Sequence, residues 1–76
     1  MEKIILEILS DLQPGRQFTE SSDFIADGYL DSFDIVSLIS ELEAEFSVII
    51  SAADIIPENF MSVDAMCELV KNSEKV

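Results

Sequence analysis

Ser32, which follows Asp31 in the stretch DGYLDSFDIVSLISELEAEF from Asp27 to Phe46, is the side chain most exposed to chemistry in this sequence. Nothing in the chain would make it a nucleophile of its own accord. The sequence holds no histidine, so a Ser-His pair is excluded, and Lys3, Arg16, Lys71 and Lys75 all lie in the terminal quarters, far from Ser32 in sequence. The 16 acidic residues could supply acid and base only inside a pocket that desolvates them, for which 76 residues leave little room. An enzyme is therefore not expected. Asp23, Asp27, Gly28 and Asp34 fall at the first, fifth, sixth and twelfth places of a calcium-loop register, but Ile25 at the third place cannot ligate and Asp34 stands where a longer Glu is usual. No dedicated metal site follows, only loose charge relief by divalent ions. Cys67 has no internal partner and reads as a small apolar helix residue.

The serine needs an element to hold it, and its surroundings provide one. Asp27-Gly28 is a turn signal, Tyr29 and Leu30 are apolar anchors, and Asp31-Ser32 offers two N-cap side chains ahead of a periodic run. At about 100° per residue, Ile35, Leu38, Ile39, Leu42 and Phe46 form one core-facing stripe. Phe33 and Val36 lie outside it, on the flank with Ser32 and Ser40, while Asp34, Glu41 and Glu45 take the other flank. Two readings follow for Phe33 and Val36. Phe33 could fold back over the preceding loop as a staple; alternatively the pair, rimmed by carboxylates, is a docking patch.

The rest of the chain reads as support. Ile5, Ile8, Leu9 and Leu12 recur at helical spacing from Glu2 to Leu12, with Ile4 and Leu6 beside them, and Pro14-Gly15 stops the run. Arg16 to Tyr29 is a long loop anchored by Phe18, Phe24 and Ile25, of the kind that presents a site at its end. Ser47-Val48-Ile49-Ile50 is a β-branched run, but no second strand is evident to pair with it, so no strand is expected. Ser51-Ala52-Ala53-Asp54 has the form of a capping box opening a short helix that runs through Ile55 and Ile56 to Pro57. Ser62 caps the last helix, lined inwardly by Val63, Met66, Leu69 and Val70 to about Lys71. The tail from Asn72 to Val76 is expected to fray.

The G-x-L-D-S-F pattern ahead of an amphipathic helix resembles the modification site of acyl and peptidyl carrier proteins. Pro57-Glu58-Asn59-Phe60 followed by Ser62-Val63 resembles the segment before their last helix, and the helix order and loop lengths match over nearly the whole chain. The resemblance implies an all-α fold, a small four-helix bundle of three main helices and one short helix with a long first loop, as a single carrier domain over residues 1–76. It implies a 4′-phosphopantetheine arm on Ser32, beside Asp31, attached by a separate phosphopantetheinyl transferase from coenzyme A. The arm's thiol would carry acyl groups as thioesters between enzymes of fatty-acid, polyketide or related biosynthesis, or else aminoacyl groups such as D-alanyl. Partner enzymes would load and transfer the cargo and would dock with basic patches on Phe33, Asp34, Val36, Ser40 and Glu41. Family members often carry glycine after the helix-ending phenylalanine. Ser47 departs from that and points to a less sharply defined helix end.

Composition narrows the partners further. The formal net charge is −12, and no Lys, Arg or His occurs between Gln17 and Val70. Such a surface repels nucleic acid and anionic membranes and attracts basic protein patches. No apolar run approaches the roughly 20 residues needed to span a bilayer, and Glu2, Glu7 and Asp11 interrupt the N-terminal cluster, so neither membrane insertion nor a signal peptide is expected. The sequence reads as a cytoplasmic monomer. A plainer reading stays open, in which the chain is a small acidic helical interaction domain and Ser32 only a helix cap.

Overall fold

The computed structural model describes residues 1–76. Three α-helices carry the fold: α1 (Glu2–Leu12), α2 (Ser32–Phe46) and α3 (Val63–Asn72). The all-α architecture expected from the sequence is present, with the long first loop between α1 and α2. In α1 the periodic Ile5, Ile8 and Leu9 are buried, and Pro14 cannot continue the helix beyond Gln13. Gln13 closes it by donating its N–H to the Leu9 carbonyl at 2.9 Å. In α2 the stripe holds as read, with Leu38 and Leu42 fully buried and Ile35, Ile39 and Phe46 packed at its margins. Ser62 caps α3 by accepting the Ala65 N–H at 3.1 Å, and Met66, Leu69 and Val70 face inward.

All 14 buried residues are apolar, and no buried polar side chain lacks a partner. The core draws on every helix and on the loops between them: Phe18, Phe24 and Leu30 from the first loop, Val48 and Ile50 after α2, and Phe60 before α3. The loop anchors therefore fix the approach to Ser32 by the same burial that holds the helices. Truncating one such side chain typically costs about 2–5 kcal/mol, a large share of what a domain of this size possesses.

Four expectations need correction. The β-branched run after α2 does form a strand: β1 (Val48–Ile49) pairs antiparallel with β2 (Glu74–Lys75), Val48 opposite Lys75 and Ile49 opposite Glu74. The partner was hidden because Ser73-Glu74-Lys75-Val76 shows neither alternation nor β-branched enrichment; a pair two residues long needs only backbone donors and acceptors in reach. For the same reason the tail does not fray, since the Val76 N–H donates to the Ser47 carbonyl at 2.9 Å. The segment before α3 is not one short helix but two 3₁₀ turns, Ala52–Asp54 and Pro57–Asn59. Proline forces Ile56 between them into extended backbone, at φ −128° and ψ 152°. Ser51 caps the first turn weakly, accepting the Ala53 N–H at 3.3 Å, with no return bond from Asp54.

The end of α2 is sharp, contrary to the expectation drawn from Ser47. Ser47 takes the left-handed conformation, φ 52° and ψ 53°, and donates its N–H to the Glu43 carbonyl. Glu43 then accepts the Ile50 N–H on its carboxylate at 2.9 Å, so one side chain ties the helix end to the chain leaving it. A serine holds the position that glycine would hold at lower cost. No helix is long and apolar enough to cross a membrane.

Candidate functional site

The approach to Ser32 is a turn with its backbone bonds closed. Phe24 donates its N–H to the Met61 carbonyl at 2.8 Å, and its own carbonyl accepts from both Tyr29 and Leu30, at 2.8 and 3.1 Å. Asp23 Oδ1 accepts the N–H groups of Ile25 and Ala26, both at 3.0 Å, and Gly28 supplies the positive φ of 74° that turns the chain back. Phe18 packs edge-on against Phe24 and Tyr29, with ring centroids 5.1 and 5.7 Å apart, and the Arg16 guanidinium lies 4.8 Å above the Tyr29 ring. These contacts seat Leu30 in the core and leave the next two residues, Asp31 and Ser32, exposed.

Of the two cap candidates, the structure selects Asp31. Its Oδ1 accepts the Asp34 N–H at 2.8 Å, and Asp34 Oδ2 accepts the Asp31 N–H at 3.2 Å, a reciprocal capping box made by two aspartates. Ser32 is then the first residue of α2, exposed, with its hydroxyl unused by the cap. The N–H groups of Ser32 and Phe33 belong to the first turn, where no preceding carbonyl of the helix can accept from them. An anionic group on the Ser32 oxygen would meet those donors and the positive end of the helix dipole. The residues present therefore fit a phosphodiester at Ser32, and Ser32 with the first turn of α2 would hold it.

Beside Ser32 an apolar groove of about 470 Å³ opens between α2 and the 3₁₀ turns before α3. Buried Leu30 and Phe60, half-buried Ile35 and Ile39 and exposed Val36 and Ile55 line it, together with Asp31 and Ser32. Its size falls in the range of small-ligand clefts, roughly 300–1,000 Å³. The sequence reading did not include this groove. Ile55-Ile56 before Pro57 held a signal, because two adjacent branched residues ahead of a proline cannot both turn inward along a helix.

The residues read as a docking surface divide. Phe33 is 80% exposed and Val36 67% exposed, so Phe33 does not fold over the loop as a staple. Ser40 and Glu41 are exposed on α2 as expected. Asp34 is half-buried, and its carboxylate is committed to the cap and to the Gln13 side chain, which donates from Nε2 at 2.9 Å. The spacing of the sequence gave no hint of this bond to Gln13. The acidic residues of the calcium-loop register do not converge: Asp23 closes its own turn, Asp27 accepts from Ser21 Oγ at 2.6 Å, and no cluster of three ligating side chains exists. Cys67 is half-buried on α3, where burial, and next the Glu2 carboxylate, push its thiol above the usual range.

A family model described as the phosphopantetheine attachment site matches residues 2–70 of the chain. No curated protein and no solved structure matches it.

Proposed function

The chain belongs to the phosphopantetheine attachment site family, a family of carrier domains, and we propose that it is an acyl carrier whose arm is borne on Ser32. Residues 1–76 act in this reading as one carrier domain, and a phosphopantetheinyl transferase supplies the group from coenzyme A. When attached, the arm contributes a thiol that holds cargo as a thioester. The chain's own residues contribute the rest. Asp31 caps the helix so that the Ser32 hydroxyl is free, and the first turn of α2 receives the phosphate charge. Phe33 and Val36 offer apolar contact, and Ser40 and Glu41 polar and acidic contact, to enzymes with basic docking patches. The setting is cytoplasmic fatty-acid, polyketide or related biosynthesis.

The observation that favours acyl over aminoacyl cargo is the apolar groove that Ser32 helps to line. A D-alanyl group has one methyl and a charged amine to offer such a lining, whereas an alkyl chain gains about 0.8 kcal/mol for each methylene it buries. Three methylenes entering the groove would stabilise the loaded protein by about 2 kcal/mol. The test is to load octanoyl and D-alanyl on the arm and compare melting temperatures and amide shifts. Octanoyl loading should raise the midpoint and shift Leu30, Ile39 and Ile55. Equal midpoints with no groove shifts would remove the case for alkyl cargo and favour the aminoacyl carrier.

A further inference from the structure

We infer that Gln13 is a positioning residue for attachment at Ser32, acting through Asp34; the inference rests on the functional reading above. Gln13 stands immediately after α1, where its N–H is held by the Leu9 carbonyl at 2.9 Å and Pro14 follows. From there its Nε2 donates to Asp34 Oδ2 at 2.9 Å across a sequence separation of 21 residues. Only two side chain to side chain hydrogen bonds exist in the chain, and this is the one that ties the residue following α1 to α2. The same oxygen, Oδ2, accepts the Asp31 N–H at 3.2 Å. Gln13 therefore acts on the return half of the capping box.

That half sets how Ser32 is presented. The outward half, Asp31 Oδ1 accepting the Asp34 N–H, caps the helix whether or not Asp34 reaches back. The return half depends on the Asp34 carboxylate staying turned toward Asp31, although an aspartate at this position could instead turn to water. Gln13 holds it in the inward rotamer. The Asp31 N–H is thereby pinned and the backbone of Asp31 kept at φ −106° and ψ −178°, which aims the peptide leading into Ser32. A second consequence lies in the charge. An amide orients the carboxylate without neutralising it, as a lysine or arginine in its place would, so the negative field around the serine is kept for a basic partner.

In the attachment step the Ser32 oxygen forms a bond to the phosphorus of the pantetheine phosphate, the pyrophosphate P–O bond of coenzyme A breaks with release of the adenosine bisphosphate, and the hydroxyl proton passes to the transferase. A hydroxyl with wandering direction reacts less often once bound, while its docking is unaffected. The kinetic signature is thus a fall in kcat with KM nearly constant. Mere loss of stability would reduce the folded fraction and raise KM instead.

The experiment uses the full chain, coenzyme A and a broad-specificity phosphopantetheinyl transferase, well below the melting midpoint, with wild type, Gln13→Ala and Gln13→Glu. Gln13→Ala should lower kcat about fivefold, the scale of one hydrogen bond, with KM unchanged and the Asp31 amide proton shifted. Gln13→Glu should be slower still, because two carboxylates would face each other. Wild-type kcat in Gln13→Ala, a change confined to KM, or a Gln13→Glu variant no slower than Gln13→Ala would each overturn the inference while leaving the functional reading intact. A wild type that takes no arm, from a transferase that loads another carrier, would overturn both.

Discussion

At Ser32 the decisive fact is which neighbour does the capping. With Asp31 and Asp34 closing the box between them, replacing the Ser32 hydroxyl removes no structural bond. Ser32→Ala should therefore melt within about 0.5 kcal/mol of wild type, the range of neutral surface changes, where a true N-cap serine would cost about 1 kcal/mol; urea unfolding measures the difference. The adjacent patch gives a complementary expectation. Val36, 67% exposed, should tolerate Val36→Asp with a stability change below about 1 kcal/mol, yet arm transfer should slow markedly because an extra negative charge enters an apolar contact. A large loss of stability would put Val36 in the core and dissolve the patch. Thiol labelling adds a control: half-buried Cys67 should react with iodoacetamide well after the exposed thiol of the arm at neutral pH, because burial hinders access and, by raising its pKa, lowers its thiolate fraction.

The elements carry their own tests at the two left-handed residues that bracket α2. Gly28, φ 74°, meets no neighbouring atom where a Cβ would stand, so Gly28→Ala should cost about 1 kcal/mol through backbone conformation alone. At the other end Ser47→Gly should stabilise by about 0.5–1 kcal/mol, since glycine adopts φ 52° without the side-chain penalty. Chemical denaturation of the two variants should give shifts of opposite sign. The helices themselves were legible from the sequence because three- and four-residue periodicity records burial on one face, and α1 begins and ends where the pattern says. Ser62 was legible as a cap from its local pattern, whereas Asp31 was legible only as one of two candidates beside Ser32. What escaped was nonlocal. β2 is invisible because its two residues carry no strand signal and exist only by backbone bonding to a segment far away in sequence. The Gln13 to Asp34 bond and the groove likewise depend on which surfaces tertiary packing brings together, and no spacing within one element encodes them.

For the molecule as a whole, charge and small size act together. The single ion pair is Lys71 with Glu68 at 3.9 Å, exposed on α3, and Arg16 lies over Tyr29, so no cation covers the carboxylates between Glu20 and Glu45. Their mutual repulsion opposes the compact state, and salt screens it over a length of about 8 Å at physiological strength. The melting temperature should therefore rise with NaCl while arm transfer slows, because the same screening would weaken the proposed attraction to a basic patch on the transferase. A flat or falling melting curve would mean that the acidic surface is not under strain. Asp23 and Asp27 are engaged within the first loop and Asp31 and Asp34 with one another in the cap, and no three carboxylates converge, so magnesium or calcium should act by screening without a stoichiometric binding step. The claim on which all of this depends is that Ser32 bears the arm, and mass spectrometry tests it most directly. After incubation with coenzyme A and a broad-specificity transferase, the intact protein should gain one phosphopantetheine, fragmentation should place it on Ser32, and Ser32→Ala should gain nothing; an arm found on another serine, or an unmodified wild type beside a control carrier that is loaded, would contradict it.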